Sequence, residues 1–262
     1  MKIPFTKEYT VSYFEVDYSL KIKPHRLVGI FQDIAVQHSD KAGYNLDWFS
    51  KNDMGWIITG WHVVIKKQPK EGDKISISTW TRRHKRVQAD RTFEAKDQEG
   101  NVICYGESRW FLMNTEKRKP GRIPADFMEA YGLPTDDTDP KYLRGIIPDE
   151  DYKMPDVASL KKISTREFVV TRRDTDTNNH TNNISYIEWA MDDVADELYF
   201  DYQIIDLRVN YILECKKGDI VKSTHYGKRL DNGNIEVCSC FEGANGEGEY
   251  CQVVTIWKNK FE

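Results

Sequence analysis

The feature that most limits how this chain can fold is an internal repeat. Two blocks of the sequence align without gaps on two later blocks, the first by adding 159 to the residue number and the second by adding 146. The first shift pairs Asp17 with Asp176, and the second pairs Gly72 with Gly218. Both blocks also agree in the order of their predicted strands and helices. We therefore interpret the chain as a duplicated unit.

Each half is predicted to contain a strand, a long helix and then further strands. In the first half we expect a helix from Pro24 to about Gly43 and strands at 8–17, 56–68, 74–81, 87–96 and 101–113. In the second half we expect a helix at 183–198 and strands at 166–176, 204–214, 219–227, 234–242 and 249–259. An amphipathic helix must bury its apolar stripe, so each sheet should wrap its own helix. His38 lies on that stripe and is interpreted as a packed core histidine.

The two halves are separated by a stretch of different composition. Residues 115–164 are rich in proline and contain an acidic run at Asp136-Asp137, so we interpret them as a linker with a short helix near 125–131. A linker this long is unusual inside one compact unit. The predicted domains are therefore 1–114 and 165–262, the second carrying the candidate catalytic residues.

Composition excludes several classes of function. A net charge of −4 over 262 residues gives no support to bulk nucleic-acid binding, and no apolar run is long enough to span a membrane. The first residues resemble neither a signal nor a transit peptide. The cysteines are odd in number and form no C-x-x-C pair, so we expect free thiols in a reducing cytoplasm, and no metal or cofactor. They are Cys104, Cys215, Cys238, Cys240 and Cys251.

One polar stretch stands out as a candidate catalytic site. Asp176, Asn178 and His180 stand two residues apart, and in an extended segment they would point the same way. A carboxylate, an amide and an imidazole on one face suit general acid-base chemistry. Asn182 or Asn183 can cap the helix that follows, which would put the three at its positive end. The alternative is an ordinary polar turn between strand and helix.

The repeat makes this candidate site asymmetric. Under the two shifts, the candidate catalytic residues of the second half align with first-half residues that, apart from Asp17, have a different chemistry. The pairs are Asp176–Asp17, Asn178–Ser19, His180–Lys21, Glu214–Gln68 and Cys215–Pro69. We interpret this as a duplicated unit with one working site. The alternative is that the second half is simply more polar there.

These residues resemble a known family. The run from Asp174 to Tyr186 is similar to the D-x-D-x-N-x-H-x-N-N-x-x-Y signature of acyl-acyl carrier protein (ACP) thioesterases, and Glu214-Cys215 matches that family's E-C pair. Trp56-Ile-Ile-Thr59 and Gly72-Asp73 are similar to its N-terminal half. The likeness covers nearly the whole chain. It implies an α+β tandem hotdog fold, each half a long helix wrapped by an antiparallel sheet.

The resemblance also implies a function. We expect a cytoplasmic enzyme of the bacterial branch that hydrolyses fatty acyl-ACP in fatty acid biosynthesis, without cofactor, membrane span or nucleic acid, and with a homodimer as one possibility. An acyl-CoA thioesterase or a dehydratase of the same fold is the next hypothesis. A catalytically inactive acyl-binding protein is the last, since Asp176, Asn178, His180 and Glu214 are all present.

Two mechanisms remain open at the level of sequence. In the first, Glu214 or His180 activates water, Asp176 orients the base, and Asn178 helps to hold the oxyanion. In the second, Cys215 attacks as a thiolate with His180 as its base. Glu214 and Cys215 are neighbours on a predicted strand, so they should face opposite ways. We favour Glu214 and water, and keep Cys215 as a possible accessory.

Substrate contacts are expected at two further sets of residues. The first half has lost the polar set, so it is free to hold the acyl chain. Its candidate lining is Leu27, Phe31, Ile34, Met54, Trp56 and Ile58. The family's carrier protein is acidic and needs a basic docking patch. The candidates are Arg82, Arg83, Lys85 and Arg86, on a predicted connection between strands, and Arg172 and Arg173.

Overall fold

The computed structural model describes residues 4–132, 153–176 and 179–261. The chain divides into two compact units, Met1–Asp151 and Tyr152–Glu262. This division falls inside the stretch 115–164 that the composition marks as a linker. None of the helices described in either unit is long and apolar enough to cross a membrane.

The first unit is built from antiparallel strands and a long helix. Its elements are β1 (Phe5–Thr10), α1 (Pro24–Lys41), α2 (Leu46–Lys51), β2 (Met54–Ile65), β3 (Lys74–Lys85), β4 (Gln88–Lys96), β5 (Val102–Asn114), β6 (Lys119–Pro120) and α3 (Phe127–Tyr131). The strands pair antiparallel in the order β1-β3-β4-β5-β2, and β6 pairs with β5. The expected order of a strand, a helix and four strands is confirmed, although β1 ends at Thr10 and not near 17.

Helix α1 begins and ends where its sequence predicts. Pro24 occupies the first turn, and Gly43, with a φ of 87°, follows the end. On its buried face the Phe31 ring stacks on Phe93, with 5.0 Å between ring centroids. This packing needs a glycine opposite, because a Cβ at Gly106 would lie 2.8 Å from the Phe31 ring. The close packing of α1 on the sheet at this point therefore depends on the absence of a side chain at Gly106.

A bulge in β2 keeps its apolar side chains on one face. The pairing of β2 with β5 shifts between Ile58 and Gly60. Without that shift, alternation would turn the residues after Ile58 to the other face. With it, the buried series continues from Ile58 to Trp61 and Val63, all at most 2% exposed. The bulge thus extends the core along the whole strand.

Part of the predicted linker packs onto the first unit. Ile123, Phe127 and Tyr131 are buried in a cluster with Tyr44 and Leu112. The short helix expected near 125–131 is present as α3. The acidic run of the predicted linker lies outside the described residues.

The second unit repeats this architecture, with several differences from the predicted elements. They are β7 (Lys161–Val169), α4 (Asn183–Asp192), α5 (Asp196–Asp201), β8 (Tyr202–Tyr211), β9 (Ile220–Arg229), β10 (Ile235–Gly243) and β11 (Glu249–Asn259). The strands pair antiparallel in the order β8-β11-β10-β9-β7. The single helix expected at 183–198 is wrong, since the chain leaves the helix between α4 and α5. Asp193 stands at that break and accepts hydrogen bonds from Arg166 Nε at 2.5 Å and His225 Nε2 at 3.0 Å.

Candidate active site

The segment that carries the polar motif is a closed turn and not the extended strand that its alternation predicts. β7 ends at Val169, and a short 3-10 turn at Arg172–Asp174 follows. The carboxylate of Asp174, which is 5% exposed, accepts from the backbone amide of Thr171 at 2.7 Å. This capping contact fixes the start of the turn.

The turn then brings Asp176 and His180 together. The Asp176 amide donates to the His180 carbonyl at 2.8 Å, and the His180 amide donates to Asp176 Oδ1 at 3.2 Å. Asn179 lies between them with a φ of 62°, a left-handed conformation that asparagine tolerates. The third expected catalytic residue, Asn178, lies outside the described residues. Asp176 and His180 therefore meet through the backbone of a turn, and not side by side on the extended segment that the sequence predicts.

His180 faces Glu214. Nδ1 of His180 lies 3.6 Å from Oε1 of Glu214, and the two side chains are 40% and 46% exposed. This separation is slightly longer than a hydrogen bond and is closed by a small side-chain rotation or by one bridging water. A carboxylate beside an imidazole, both open to solvent, is an arrangement that can take a proton from water.

Glu214 lies on an anchored loop. The strand expected at 204–214 ends at Tyr211, so this residue comes after the strand. The amides of Ile212 and Leu213 both donate to the Tyr250 carbonyl, at 2.9 and 3.2 Å. On the other side the Cys215 carbonyl accepts from the Thr181 amide at 2.9 Å. The loop is held at both ends, which limits where the carboxylate can go.

Cys215 faces away from solvent, as predicted, although it lies on the loop and not on the strand that the prediction assumed. It is 1% exposed, and its sulfur lies 3.1 Å from Thr181 Oγ1 and 2.9 Å from the Tyr186 hydroxyl. Burial raises the pKa of the Cys215 thiol, and the hydrogen bonds with Thr181 and Tyr186 offset only part of that increase. A nucleophilic cysteine needs the opposite, a stabilised thiolate. The geometry thus favours the water mechanism over the cysteine mechanism.

Helix α4 begins directly beside this turn. Its cap is Asn182, whose side chain accepts from the Ile184 amide at 3.0 Å. The Tyr211 hydroxyl donates to the carbonyl of Asn183 at 2.9 Å and ties the first turn to β8. The positive end of the helix therefore lies next in the chain to His180.

The basic candidates separate into two groups. Arg82 is only 9% exposed and lies 3.4 Å from Glu107 and 4.0 Å from Asp90, so it is part of a buried ion-pair network and not of a docking surface. The stretch that follows belongs to β3, not to a free connection as expected, and the chain turns at Arg86, which is exposed. The side chains of Arg83 and Lys85 lie outside the described part of the chain.

The basic pair beside the polar motif is open to solvent. Arg172 and Arg173 are both exposed on the 3-10 turn, and the Arg173 side chain is 81% exposed while lying 3.6 Å from Asp174. They remain available to an acidic partner.

The candidate acyl-lining residues of the first unit are buried or half-buried. Leu27, Phe31, Ile34 and Ile58 are at most 2% exposed. Met54 and Trp56 are half-buried and pack against the cluster around Tyr44 and Leu112. Four of the six are thus fully packed in the core, and the other two pack against the cluster that includes α3.

The core of the first unit also contains a buried polar pair, of which the helical periodicity predicted only one member. His38 is fully buried as expected, and burial together with the Arg91 charge lowers its pKa to about 2. Its Nδ1 accepts from Arg91 Nη1 at 2.8 Å, and Arg91 is itself 7% exposed. The Arg91 guanidinium also lies 5.8 Å from the centre of the Tyr131 ring. Nothing in the local sequence marks Arg91 as a buried residue.

Solved structures place this architecture among known folds. An acyl-ACP thioesterase from Bacteroides thetaiotaomicron superposes with a TM-score of 0.79 at 22% identity, covering 97% of this chain and 98% of that one. The 12:0-ACP thioesterase from Umbellularia californica superposes with a TM-score of 0.82 at 19% identity, covering 98% and 94%. The expected fold is confirmed: this is a tandem hotdog protein.

Sequence comparison identifies the family. The model of the acyl-ACP thioesterase N-terminal domain matches residues 2–131, and that of the C-terminal domain matches residues 157–259. The chain therefore belongs to the acyl-ACP thioesterase family. The oleoyl-acyl carrier protein thioesterase 1 of Arabidopsis thaliana is 24% identical over 98% of this chain and 77% of its own length. The dodecanoyl-[acyl-carrier-protein] hydrolase of Umbellularia californica is 23% identical over 98% and 68%.

Proposed function

We propose that this protein hydrolyses the thioester bond of fatty acyl-ACP and releases a free fatty acid and holo-ACP in fatty acid biosynthesis. The observation that carries the proposal is the 3.6 Å approach of Glu214 to His180, on two loops that are each anchored by backbone hydrogen bonds. Membership of the acyl-ACP thioesterase family supports the substrate class. The five cysteines are unpaired thiols, which is consistent with a cytoplasmic enzyme.

In the proposed reaction, water attacks the thioester carbonyl carbon. Glu214, directly or through His180, removes one proton from that water, and Asp176 maintains the turn that presents the imidazole. Asn178 and the backbone amides at the start of α4 stabilise the oxyanion. The carbon–sulfur bond then breaks, and the proton passes to the departing thiolate. The products are one carboxylic acid and one thiol, which balances the addition of water.

We propose that one half binds the acyl chain and the other carries out the hydrolysis. Residues 1–114 hold the acyl chain, through apolar residues of α1 and β2, and residues 165–262 carry the chemistry. The exposed Arg86, Arg172 and Arg173 attract the acidic carrier protein. Arg82 has no such role, because Glu107 and Asp90 already surround its charge.

The direct test is hydrolysis of matched acyl-ACP and acyl-CoA panels, with chromatography of the released acids. The acyl-ACP substrates should have the higher kcat/KM at each chain length. Glu214→Gln should remove the activity, which excludes a contaminating thioesterase. Faster cleavage of the CoA esters would instead support an acyl-CoA thioesterase, and no cleavage of either would leave an acyl-binding protein.

A further inference from the structure

Three buried polar side chains connect the two loops of the candidate site. Thr181 follows His180 in the chain, and Cys215 follows Glu214. The Cys215 sulfur lies 3.1 Å from Thr181 Oγ1 and 2.9 Å from the Tyr186 hydroxyl. Thr181, Cys215 and Tyr186 are 7%, 1% and 3% exposed. We refer to these three residues as the buried trio.

The first unit builds the same junction from apolar residues. Under the repeat, Thr181 corresponds to Ile22, Tyr186 to Leu27 and Cys215 to Pro69. All three counterparts are buried, and Ile22 and Leu27 are 0% exposed. The backbone contact is unchanged, since the Ile22 amide donates to the Pro69 carbonyl at 2.9 Å.

Comparing the two units shows which contacts at this junction are needed to close the loops and which are additional. In the second unit the Thr181 amide donates to the Cys215 carbonyl, also at 2.9 Å. Apolar side chains therefore suffice to close the two loops on each other. Burying three polar groups instead brings a desolvation cost that directional hydrogen bonds must offset. What those bonds add is a fixed relative geometry.

We propose that the buried trio is a positioning device that holds Glu214 opposite His180. This inference rests on the proposed function, because it gives the two side chains their catalytic roles. The Thr181–Cys215 contact links the two residues that immediately follow His180 and Glu214 in the chain. Tyr186 stands one turn inside α4 and fixes the same sulfur to the helix. The thiol of Cys215 makes and breaks no covalent bond in this role.

The test compares variants that keep or remove the hydrogen bonds. Cys215→Ala should lower kcat about 10-fold, as expected for a displaced catalytic group, and leave KM for acyl-ACP nearly unchanged. Cys215→Ser, which restores a donor and acceptor, should recover most of the lost rate. Tyr186→Phe and Thr181→Val should act on kcat in the same direction. A buried thiol outside the trio provides the control: Cys104→Ala should lower Tm without changing kcat.

Crystal structures of the same variants provide a measurement independent of turnover. The His180–Glu214 separation should increase in Cys215→Ala and return to about its 3.6 Å value in Cys215→Ser. A serine variant as slow as the alanine variant, or slower, would overturn the proposal and point to thiol chemistry. Unchanged kcat in Cys215→Ala, Thr181→Val and Tyr186→Phe would overturn it as well. If the wild-type enzyme fails to cleave acyl-ACP, the proposed function fails, while the measured separations still decide the positioning role.

Discussion

The loop after β1 and the loop after β7 are two copies of one structure with different chemistry. In the first copy the Asp17 amide donates to the Lys21 carbonyl at 2.8 Å. In the second the Asp176 amide donates to the His180 carbonyl at the same distance. Backbone hydrogen bonds thus reproduce the turn in both units, whatever side chains it carries.

The side chains that face each other across the loops are what differ. In the first unit the side-chain amide of Gln68 donates to the Ile22 carbonyl at 3.1 Å, so this side chain stabilises the backbone of the loop. In the second unit the corresponding residue is Glu214, whose carboxylate faces His180. A handful of positions therefore separates a structural loop from a candidate active site on the same scaffold.

The surfaces of the two turns also differ. Tyr13 and Phe14 are 70% and 85% exposed on the turn of the first unit. Arg172 and Arg173 occupy the corresponding positions in the second. The copy that carries the candidate catalytic residues presents charge, and the other presents aromatic rings. Under the proposed docking role, the second turn is therefore the one that we expect to meet an acidic carrier.

The largest expected effect comes from removing the catalytic pair. His180→Ala or Glu214→Gln should lower kcat by roughly 10²–10⁴-fold, the usual scale for a general base. Their counterparts, Lys21→Ala and Gln68→Ala, should leave kcat nearly unchanged. Steady-state kinetics on one acyl-ACP substrate measures all four. Equal losses in both units would mean that the first copy is a second working site.

Acid should destabilise the first unit through His38. Its pKa is lowered to about 2 in the folded state, against an ordinary value of 6.5, so the unfolded state binds more protons. Stability is then fully present above pH 6.5 and is lost as the pH falls towards 2. At pH 5 the loss should be about 2 kcal/mol.

Chemical denaturation at pH 7 and pH 5 measures this loss. His38→Gln keeps an acceptor for Arg91 but cannot titrate, so its stability should depend less on pH. If the variant and the wild type lose the same free energy of unfolding, His38 is not the source.

Enlarging the apolar face of the first unit should change the product profile. Leu27→Phe or Ile34→Phe should favour shorter acids by several-fold per carbon pair, since each buried methylene contributes about 0.8 kcal/mol. The matched control is Ile187→Phe on α4, a residue that is 0% exposed in the second unit. It should alter stability and leave the profile unchanged. The same profile from all three variants would place the acyl chain elsewhere.

The left-handed residue of each turn allows a reciprocal exchange. Leu20 has a φ of 59°, a conformation that costs an L-residue with a branched side chain roughly 1–2 kcal/mol, and Asn179 has a φ of 62°. Leu20→Asn should therefore stabilise the protein by about 1 kcal/mol, and Asn179→Leu should destabilise it by a similar amount. Thermal unfolding monitors both. A destabilised Leu20→Asn would show that this leucine contributes more through contacts than it costs in backbone strain.

The smallest effect should come from the surface charges. Reversing Arg172 and Arg173 to Glu should raise KM for acyl-ACP a few-fold more than for a small acyl thioester, because exposed charges act mainly on association. Added salt should reduce the difference, since screening sets in beyond about 10 Å at 0.1 M. Tyr13→Glu with Phe14→Glu, at the corresponding positions, should not change KM. If it raises KM as much, docking does not distinguish the two turns.

The sequence by itself determined the repeated order of strands and helices, and it nominated the residues of the candidate site. Helix α1, from Pro24 to Lys41, follows from an apolar stripe, a proline in its first turn and a glycine after its end. These signals act between residues less than about two turns apart, so the local chain carries all the necessary information. The opposite facing of Glu214 and Cys215 was also predicted, but from a strand that ends before them, so the loop and its backbone contacts set it.

Only the tertiary structure decided where long-range contacts override those local patterns. At the break after α4, Asp193 accepts hydrogen bonds from Arg166 and His225, which come from two different strands. Arg82 lies in a cluster of charged side chains in the sequence, but Glu107 and Asp90 on neighbouring strands bury its charge. Periodicity measures which side of an element is apolar. Periodicity cannot predict contacts with residues that are distant in the sequence. The free energy of a buried ion pair depends on such a partner, so only the tertiary structure shows it.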